Sequence, residues 1–319
     1  MQERCDINNY ELLLIKYVFI YINYIKLMLL LINSINIIMK ITIANPDKAT
    51  AFSTVFQHLK LLADYINVHF SDSGIYMQCL DNNHCCLFEC NLSKDWFDLY
   101  EFDGDSDAKC VGFNSGMFYK VIHIRQSNQE IEIRYNGLDV DKVLVDFTKG
   151  DNNFNKSFEI PTIDLDNEMM EIPDNEDTTV DLIIDTKQLS DLASELILFS
   201  EILTLKFSEE GIHFTASGSE GKMNSCISLD NVNEYAIGEN MILKQSYSLK
   251  YLNIMCNFGK LSKEIVLGFS ENRPMCLTYN LDHDSKSNED EDEDEDIEKN
   301  NYVSFYLAPR IDDDDDDDN

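Results

Sequence analysis

The sequence predicts an α+β protein made of two similar halves, and three observations carry that expectation. Short alternating runs that read as strands outnumber compact helical runs across residues 39–311. The order helix, three strands, short helix, two strands occurs twice. The letters echo as well: Phe70-Ser71-Asp72-Ser73-Gly74-Ile75 matches Phe207-Ser208-Glu209-Glu210-Gly211-Ile212 at an offset of 137, and Lys120 and Lys250 in the two short helices are 130 apart. Two homologous halves are the economical reading.

Each element has its own signal. Phe52, Val55, Phe56, Leu59, Leu62, Ala63 and Ile66 share one helical face, with Ser53, Thr54, Gln57 and Lys60 opposite. A short helix over Ser115–Arg125 turns Phe118, Val121 and Ile122 inward. Strands are expected at Ile66–Phe70, Ile75–Leu80, Cys85–Leu92, Glu130–Tyr135 and Val140–Phe147. In the second half Asp185 caps a helix carrying Leu189, Leu192, Ala193, Leu196 and Ile197. Strands follow at Leu203–Phe207, Ile212–Ala216 and Cys226–Leu229. A helix over Ser248–Phe258 and strands at Ile265–Phe269, Met275–Asn280 and Val303–Leu307 complete it.

This gives domains at 39–161 and 179–311, joined by residues 162–178, an acidic stretch with Pro173 and no strand or helix pattern. Residues 284–300 form an acidic loop between two strands, and 312–319 an acidic tail. Residues 1–38 stand apart. From Tyr17 to Ile38 they are long and apolar enough to span a bilayer, but Asn23, Lys26, Asn33, Ser34 and Asn36 interrupt them. They contain no Ala, Gly, Pro, Thr, His or Trp, which reads as translated AT-rich sequence upstream of the real start, a dispensable extension. A membrane anchor is the alternative.

The 319 residues suffice for two domains with a sizeable core, and 44% hydrophobic content excludes a wholly disordered chain. Net charge is −34, and Glu289–Glu298 and Asp312–Asp318 hold sixteen of the acids, so the remaining −18 belongs to the body. General adhesion to nucleic acid through a net-positive surface is excluded, whereas a local basic face is not. The plainest meaning of the acidic runs is solubility and self-repulsion. Nine cysteines without a C-x-x-C pair point to free thiols in a reducing compartment. The tightest cluster is His84, Cys85, Cys86 and Cys90, where a strand would put His84, Cys86 and Cys90 on one face. No second half-site accompanies it, so buried or edge thiols are expected and no metal or other cofactor.

Five segments in the same order carry a resemblance. They are Gly74-Ile75-Tyr76-Met77-Gln78-Cys79-Leu80-Asp81-Asn82-Asn83-His84, the connector from Asp164 to Pro173, Phe214-Thr215-Ala216-Ser217-Gly218, Leu249-Lys250-Tyr251-Leu252-Asn253, and Tyr306-Leu307-Ala308-Pro309-Arg310-Ile311. Over residues 39–311 the chain resembles the DNA sliding clamp family, proliferating cell nuclear antigen. The resemblance implies two clamp half-domains per chain and a ring-shaped homotrimer, with helices lining the hole and antiparallel sheets outside. It implies a processivity factor rather than an enzyme. The chain has no phosphate-binding loop and no G-x-S-x-G.

The implied partners are double-stranded DNA held without regard to sequence, DNA polymerase and other proteins bearing a short interacting peptide, a clamp loader, and further copies of the chain. Positions matching the DNA face are Lys60, Lys120, His123 and Lys250, with Arg125, Lys48, Lys187 and Lys260 nearby. The third helix departs from the family by carrying Asp191 and Ser194 where basic residues are usual. The implied peptide pocket comprises Leu80, His84, Cys85, Leu87, Met170, Ile172, Pro274, Tyr306 and Pro309. Ring closure is expected from edge strands around Phe154–Ile160 and Gly221–Leu229, with Phe158 as the apolar contact. Glu209 stands where eukaryotic relatives have the ubiquitin-accepting lysine, so that regulation does not carry over. The implied setting is a nucleus or a viral or cytoplasmic replication compartment, as a soluble protein. Two other readings are a partner-dependent checkpoint-type clamp subunit and a membrane-tethered acidic scaffold.

Overall fold

The computed structural model describes residues 18, 20–26, 37–103, 110–137, 139–150, 155–166, 169–172, 178–282 and 301–310. The acidic loop, the acidic tail, Pro173 and most of residues 1–36 lie outside them. Residues 20–26 are helical and exposed, and no helix among the described residues is long and apolar enough to cross a membrane.

The first half runs β1 (Ile37–Ile43), α1 (Pro46–Leu59), β2 (Tyr65–Ser71), β3 (Gly74–Leu80), β4 (Cys86–Ser93), β5 (Leu99–Phe102), β6 (Cys110–Asn114), α2 (Ser115–His123), β7 (Glu130–Asn136), β8 (Asp139–Thr148) and β9 (Lys156–Pro161). The second repeats it: β10 (Val180–Asp185), α3 (Thr186–Leu196), β11 (Ile202–Ser208), β12 (Gly211–Gly218), β13 (Gly221–Ile227), β14 (Glu234–Ile237), β15 (Leu243–Ser248), α4 (Leu249–Cys256), β16 (Glu264–Phe269), β17 (Met275–Asn280) and β18 (Tyr302–Leu307).

The repeat is topological as well as sequential. Strand order β5-β1-β7-β8-β9 in the first half equals β14-β10-β16-β17-β18 in the second, and β6-β2-β3-β4 equals β15-β11-β12-β13. Cross-strand rows match residue for residue. Tyr100–Ile41–Ile133–Val145–Phe158 corresponds to Tyr235–Leu182–Leu267–Leu277–Phe305. The lettered echo sits at the same hairpin in both halves, where Gly74 (φ 146°) and Gly211 (φ 153°) take positive φ. Tyr100 and Tyr235 each donate a hydroxyl to the carbonyl of the equivalent serine, Ser71 and Ser208.

One further pairing welds the halves together: β18 lies antiparallel to β4, with Phe305 opposite Phe88 and Tyr306 opposite Leu87. A nine-stranded sheet therefore runs across the domain boundary. The helices pack as pairs, α1 with α2 and α3 with α4, and a His58–Phe258 ring contact at 5.4 Å adjoins the pairs. Most of the buried apolar side chains of both halves belong to one continuous core, so the joint is packed like a domain interior.

Several sequence expectations shift. The apolar face beginning at Phe52 leaves the helix at Leu59, because Leu61 and Leu62 donate to carbonyls only three residues back, on His58 and Leu59. Leu62 and Ala63 stay buried in the turn, and Ile66 belongs to β2. The run Cys226–Leu229 is the end of a strand that starts at Gly221, and Leu229 opens a 3-10 turn. Ile37 and Ile38, assigned by sequence to the extension, belong to β1, where Ile38 is buried. His84 leaves the strand face altogether: it lies exposed in the β3–β4 turn, at φ 56°, while Cys86 and Cys90 enter the core.

Candidate functional site

Three regions collect the residues singled out by sequence: the polar side of the helix layer, a strip on the sheet around the β4–β18 joint, and a pair of open strand edges.

Asn45, Asn114 and Asp185 cap α1, α2 and α3 through side-chain oxygens on first-turn amides. Apolar residues at helical spacing turn inward, so the lysines are left outside. Lys60, at the C-cap of α1, places its ammonium 4.0 Å from the centre of the Tyr119 ring on α2. The Tyr119 hydroxyl lies 3.1 Å from His123 Nδ1. Lys120, His123 and Lys250 are exposed. Sequence reasoning missed one cation. Lys187, Lys260 and Lys263 are all exposed and line one cavity of about 410 Å³ at the start of α3. Lys263 carried no signal, because only the fold brings the loop after α4 to the N-terminus of α3. Asp191 and Ser194 are exposed one to two turns further along.

Two expected DNA contacts are otherwise engaged. Lys48 donates to the Trp96 carbonyl at 2.6 Å and sits 5.7 Å from that ring, at the opposite end of α1 from Lys60. Arg125 donates to the carbonyls of Gln126, Ser127 and Gln129 at 2.9–3.0 Å, and burial lowers its pKa. Both are fastenings of local backbone, since a long cationic side chain buries its stem wherever a carbonyl satisfies its head.

On the sheet, Leu87, Cys276 and Tyr306 form a small apolar cluster separate from the main core, with Leu80 and Ile172 packed on it. Four of the expected pocket residues are thus brought together, and Cys276, opposite Tyr306 on β17, joins them. Met170 is 50% exposed beside the cluster, Pro274 and Pro309 are half-buried, and Cys85 packs toward the main core. His84 stands on the neighbouring turn. That turn is tied by Asp81, whose carboxylate accepts the amides of Asn83, Cys85 and Cys86 at 2.7–2.9 Å and the Tyr251 hydroxyl. Burial alone raises the carboxyl's pKa, but these donors outweigh it and the net shift is downward.

The connector is laced along this sheet. Ile163 donates to the Gly112 carbonyl, Asn67 donates to the Asp166 carbonyl, and Gln78 both accepts from the Met170 amide (2.8 Å) and donates to its carbonyl (3.0 Å). Gly112 permits the close approach: a Cβ there would lie 2.5 Å from the Ile163 carbonyl oxygen.

The third region is a pair of open edges. Phe158 is half-buried on β9, with its ring 5.5 Å from Phe147. Among the described residues β9 pairs only with β8, and β13 only with β12. Among the described residues no three His, Cys, Asp or Glu side chains gather closely enough to hold a metal ion. Burial pushes the thiols of Cys79 and Cys256 up to about 12, so they are inert packing groups.

Comparison with known proteins agrees with this architecture. Residues 42–169 match the family described as proliferating cell nuclear antigen, N-terminal domain, and 171–288 match its C-terminal domain. Proliferating cell nuclear antigen 1 of Plasmodium falciparum is 29% identical over 278 residues, 85% of this chain and 97% of that protein. Proliferating cell nuclear antigen 2 of Drosophila melanogaster is 25% identical over 244 residues, covering 76% and 87%. The Dictyostelium discoideum protein is 23% identical over 271 residues, covering 83% and 97%. With both domains matched in order on a doubled α+β fold, the chain belongs to the proliferating cell nuclear antigen family and is a DNA polymerase sliding clamp, a non-enzymatic protein of DNA replication.

Proposed function

We propose that three copies of this chain close into a ring around duplex DNA, joined head to tail by β9 of one copy and β13 of the next. The internal joint supports this most strongly. β18 and β4 are the structural counterparts of β9 and β13, and they already pair within the chain. Transferring that register puts Phe158 opposite Met223, as Phe305 is opposite Phe88. It puts Glu159 opposite Lys222, as Tyr306 is opposite Leu87. An aromatic meets an apolar side chain and an acid meets a base. A heterologous contact closes into a ring when its rotation completes a full turn, which is the arrangement proposed for three copies.

In that ring the DNA runs past the outward side of the helices. Lys60, Lys120 and Lys250, with Lys187, Lys260 and Lys263, meet phosphates through solvent-exposed ammonium groups, and His123 through its exposed ring. Such contacts are independent of sequence and weak enough singly to permit sliding. The ring needs no tight grip, because encirclement holds the polymerase at a high effective concentration after each local release. The Leu80–Leu87–Cys276–Tyr306–Ile172 cluster receives an aromatic anchor from a partner peptide of the form glutamine-x-x-aliphatic-x-x-aromatic-aromatic. DNA polymerase is the first such partner and a clamp loader opens the ring; the setting is a nucleus or another replication compartment.

The test is solution mass across a range of concentrations, followed by retention on circular DNA. A mass three times the monomer, with loaded protein held on nicked circles and released when they are linearised, is the expected result. A monomer at every concentration, or equal retention on linear DNA, would refute the ring.

A further inference from the structure

The outer strip of the β3–β4–β18 sheet carries a buried carboxylate that the clamp function does not use. Glu89 is 5% exposed and, among the described residues, has no ion-pair partner. Three phenols replace a cation. Tyr302 donates to Oε1 at 2.8 Å and Tyr306 to Oε2 at 3.1 Å, and the Tyr76 hydroxyl lies near enough for the Glu89 charge to raise its pKa. Burial first, and the Glu89 charge after it, push the Tyr76 and Tyr302 hydroxyls up, so they stay donors.

The network has two exits. Tyr306 is the floor of the apolar cluster, so Glu89 fixes that ring by its hydroxyl. On the other side the Tyr76 hydroxyl accepts from Gln78 Nε2 at 3.1 Å, and Gln78 grips Met170 of the connector at both its amide and its carbonyl. Alternation along the strands puts Tyr76, Gln78, Glu89, Tyr302 and Tyr306 on one face, with Gln78 directly opposite Glu89. A contiguous polar row therefore runs from Tyr306 in the apolar cluster, past the buried Glu89 and the Tyr76 hydroxyl beside it, to Gln78 and the backbone of Met170.

A carboxylate buried without a cation is a poor stabiliser, and an apolar residue of its size serves a fold as well or better. Its gain lies in geometry: a fully satisfied polar network admits one arrangement of its members. We infer that Glu89 is a positioning residue for the partner pocket, holding the Tyr306 floor and, through Tyr76 and Gln78, the Met170 wall in the shape that accepts an aromatic plug. This rests on the pocket reading above.

The test uses the full chain and two readouts. Hydrogen exchange of the Met170 amide is measured without peptide, and affinity is measured with a fluorescein-labelled glutamine-x-x-leucine-x-x-phenylalanine-phenylalanine peptide. Glu89→Leu and Tyr76→Phe should each speed Met170 exchange about tenfold and weaken the peptide about tenfold. Glu89→Gln, which keeps an acceptor oxygen, should recover most of both. If Glu89→Leu fails to fold, Tyr76→Phe decides, because Tyr76 is half-exposed and outside the core. Unchanged Met170 exchange in Tyr76→Phe overturns the inference, and so does faster exchange with undiminished affinity. A native chain that keeps Met170 protected yet ignores the peptide overturns the pocket reading instead, and the two failures are told apart because exchange is read without peptide.

Discussion

Truncating Phe158 to alanine is the sharpest probe of how the ring closes. Full truncation of a buried phenylalanine costs about 3–5 kcal/mol, and Phe158 is half-buried before assembly, so roughly 2 kcal/mol is assigned to each new interface. A closed ring has three such interfaces, which brings the loss to about 6 kcal/mol per trimer, or about 10⁴ in the assembly constant. Because trimer formation is third order in monomer, the half-assembly concentration moves with the square root of that constant and should rise about a hundredfold. Sedimentation or light scattering over a dilution series reads this directly. Phe158 also touches Phe147 inside its own subunit, so monomer melting must be followed in parallel, and Met223→Ala supplies the same loss from the other side of the joint. A shift below about threefold in both variants would refute the register transferred from the Phe305–Phe88 pairing. So would Glu159→Lys and Lys222→Glu each weakening assembly while the double reversal fails to restore it.

Three other expectations follow from the described geometry. Replacing Lys60 or Lys250 by alanine should reduce the slope of log DNA affinity against log salt by about 0.9 for each phosphate no longer neutralised, measured on open rings or short duplexes; an unchanged slope removes that residue from the DNA face. Gly112→Val should push the connector off the sheet, since even a Cβ would clash with the Ile163 carbonyl, and the Ile163 amide should lose exchange protection while the mass of the assembly stays the same. Alkali should unfold the chain. Burial raises Cys79 and Cys256 to about 12 from 9, and Tyr100 to about 12 from 10, so the folded state keeps protons that the unfolded chain has released. The stability they contribute is whole below about pH 9 and should fall steadily between about pH 9 and 12, followed by circular dichroism; a flat profile across that window would contradict it.

The doubling of the fold was readable because it is written twice, in the Phe-Ser-x-x-Gly-Ile hairpins and in helices whose apolar faces obey a 3.6-residue period. The strands passed over were β1, β5, β6, β10, β14 and β15. β5, β6, β14 and β15 are short and mix polar with apolar residues, so no period emerges within them. The resemblance pointed to nine candidate pocket residues, and four of them pack together on the sheet. Cys276 and Glu89 were not among the nine, because their roles arise from register: one lies opposite Tyr306 and the other opposite Gln78, on strands distant in sequence. Lys48 and Arg125 are held by backbone carbonyls, which a lysine or arginine near a helix end gives no sign of in the sequence.

The weld between β18 and β4 has a consequence for how a ring comes apart. Its two strands belong to one polypeptide, tied by the connector and by a shared core, so a momentary breach there is followed by immediate re-closure. In the proposed ring the seam between β9 and β13 shares that strand pairing but has no leash, and its strands can diffuse away once separated. Of the six seams in a three-membered ring, three are hinges and three are doors. An opener that pushes without discrimination will therefore part the ring between subunits, and the polypeptide itself chooses where the DNA enters.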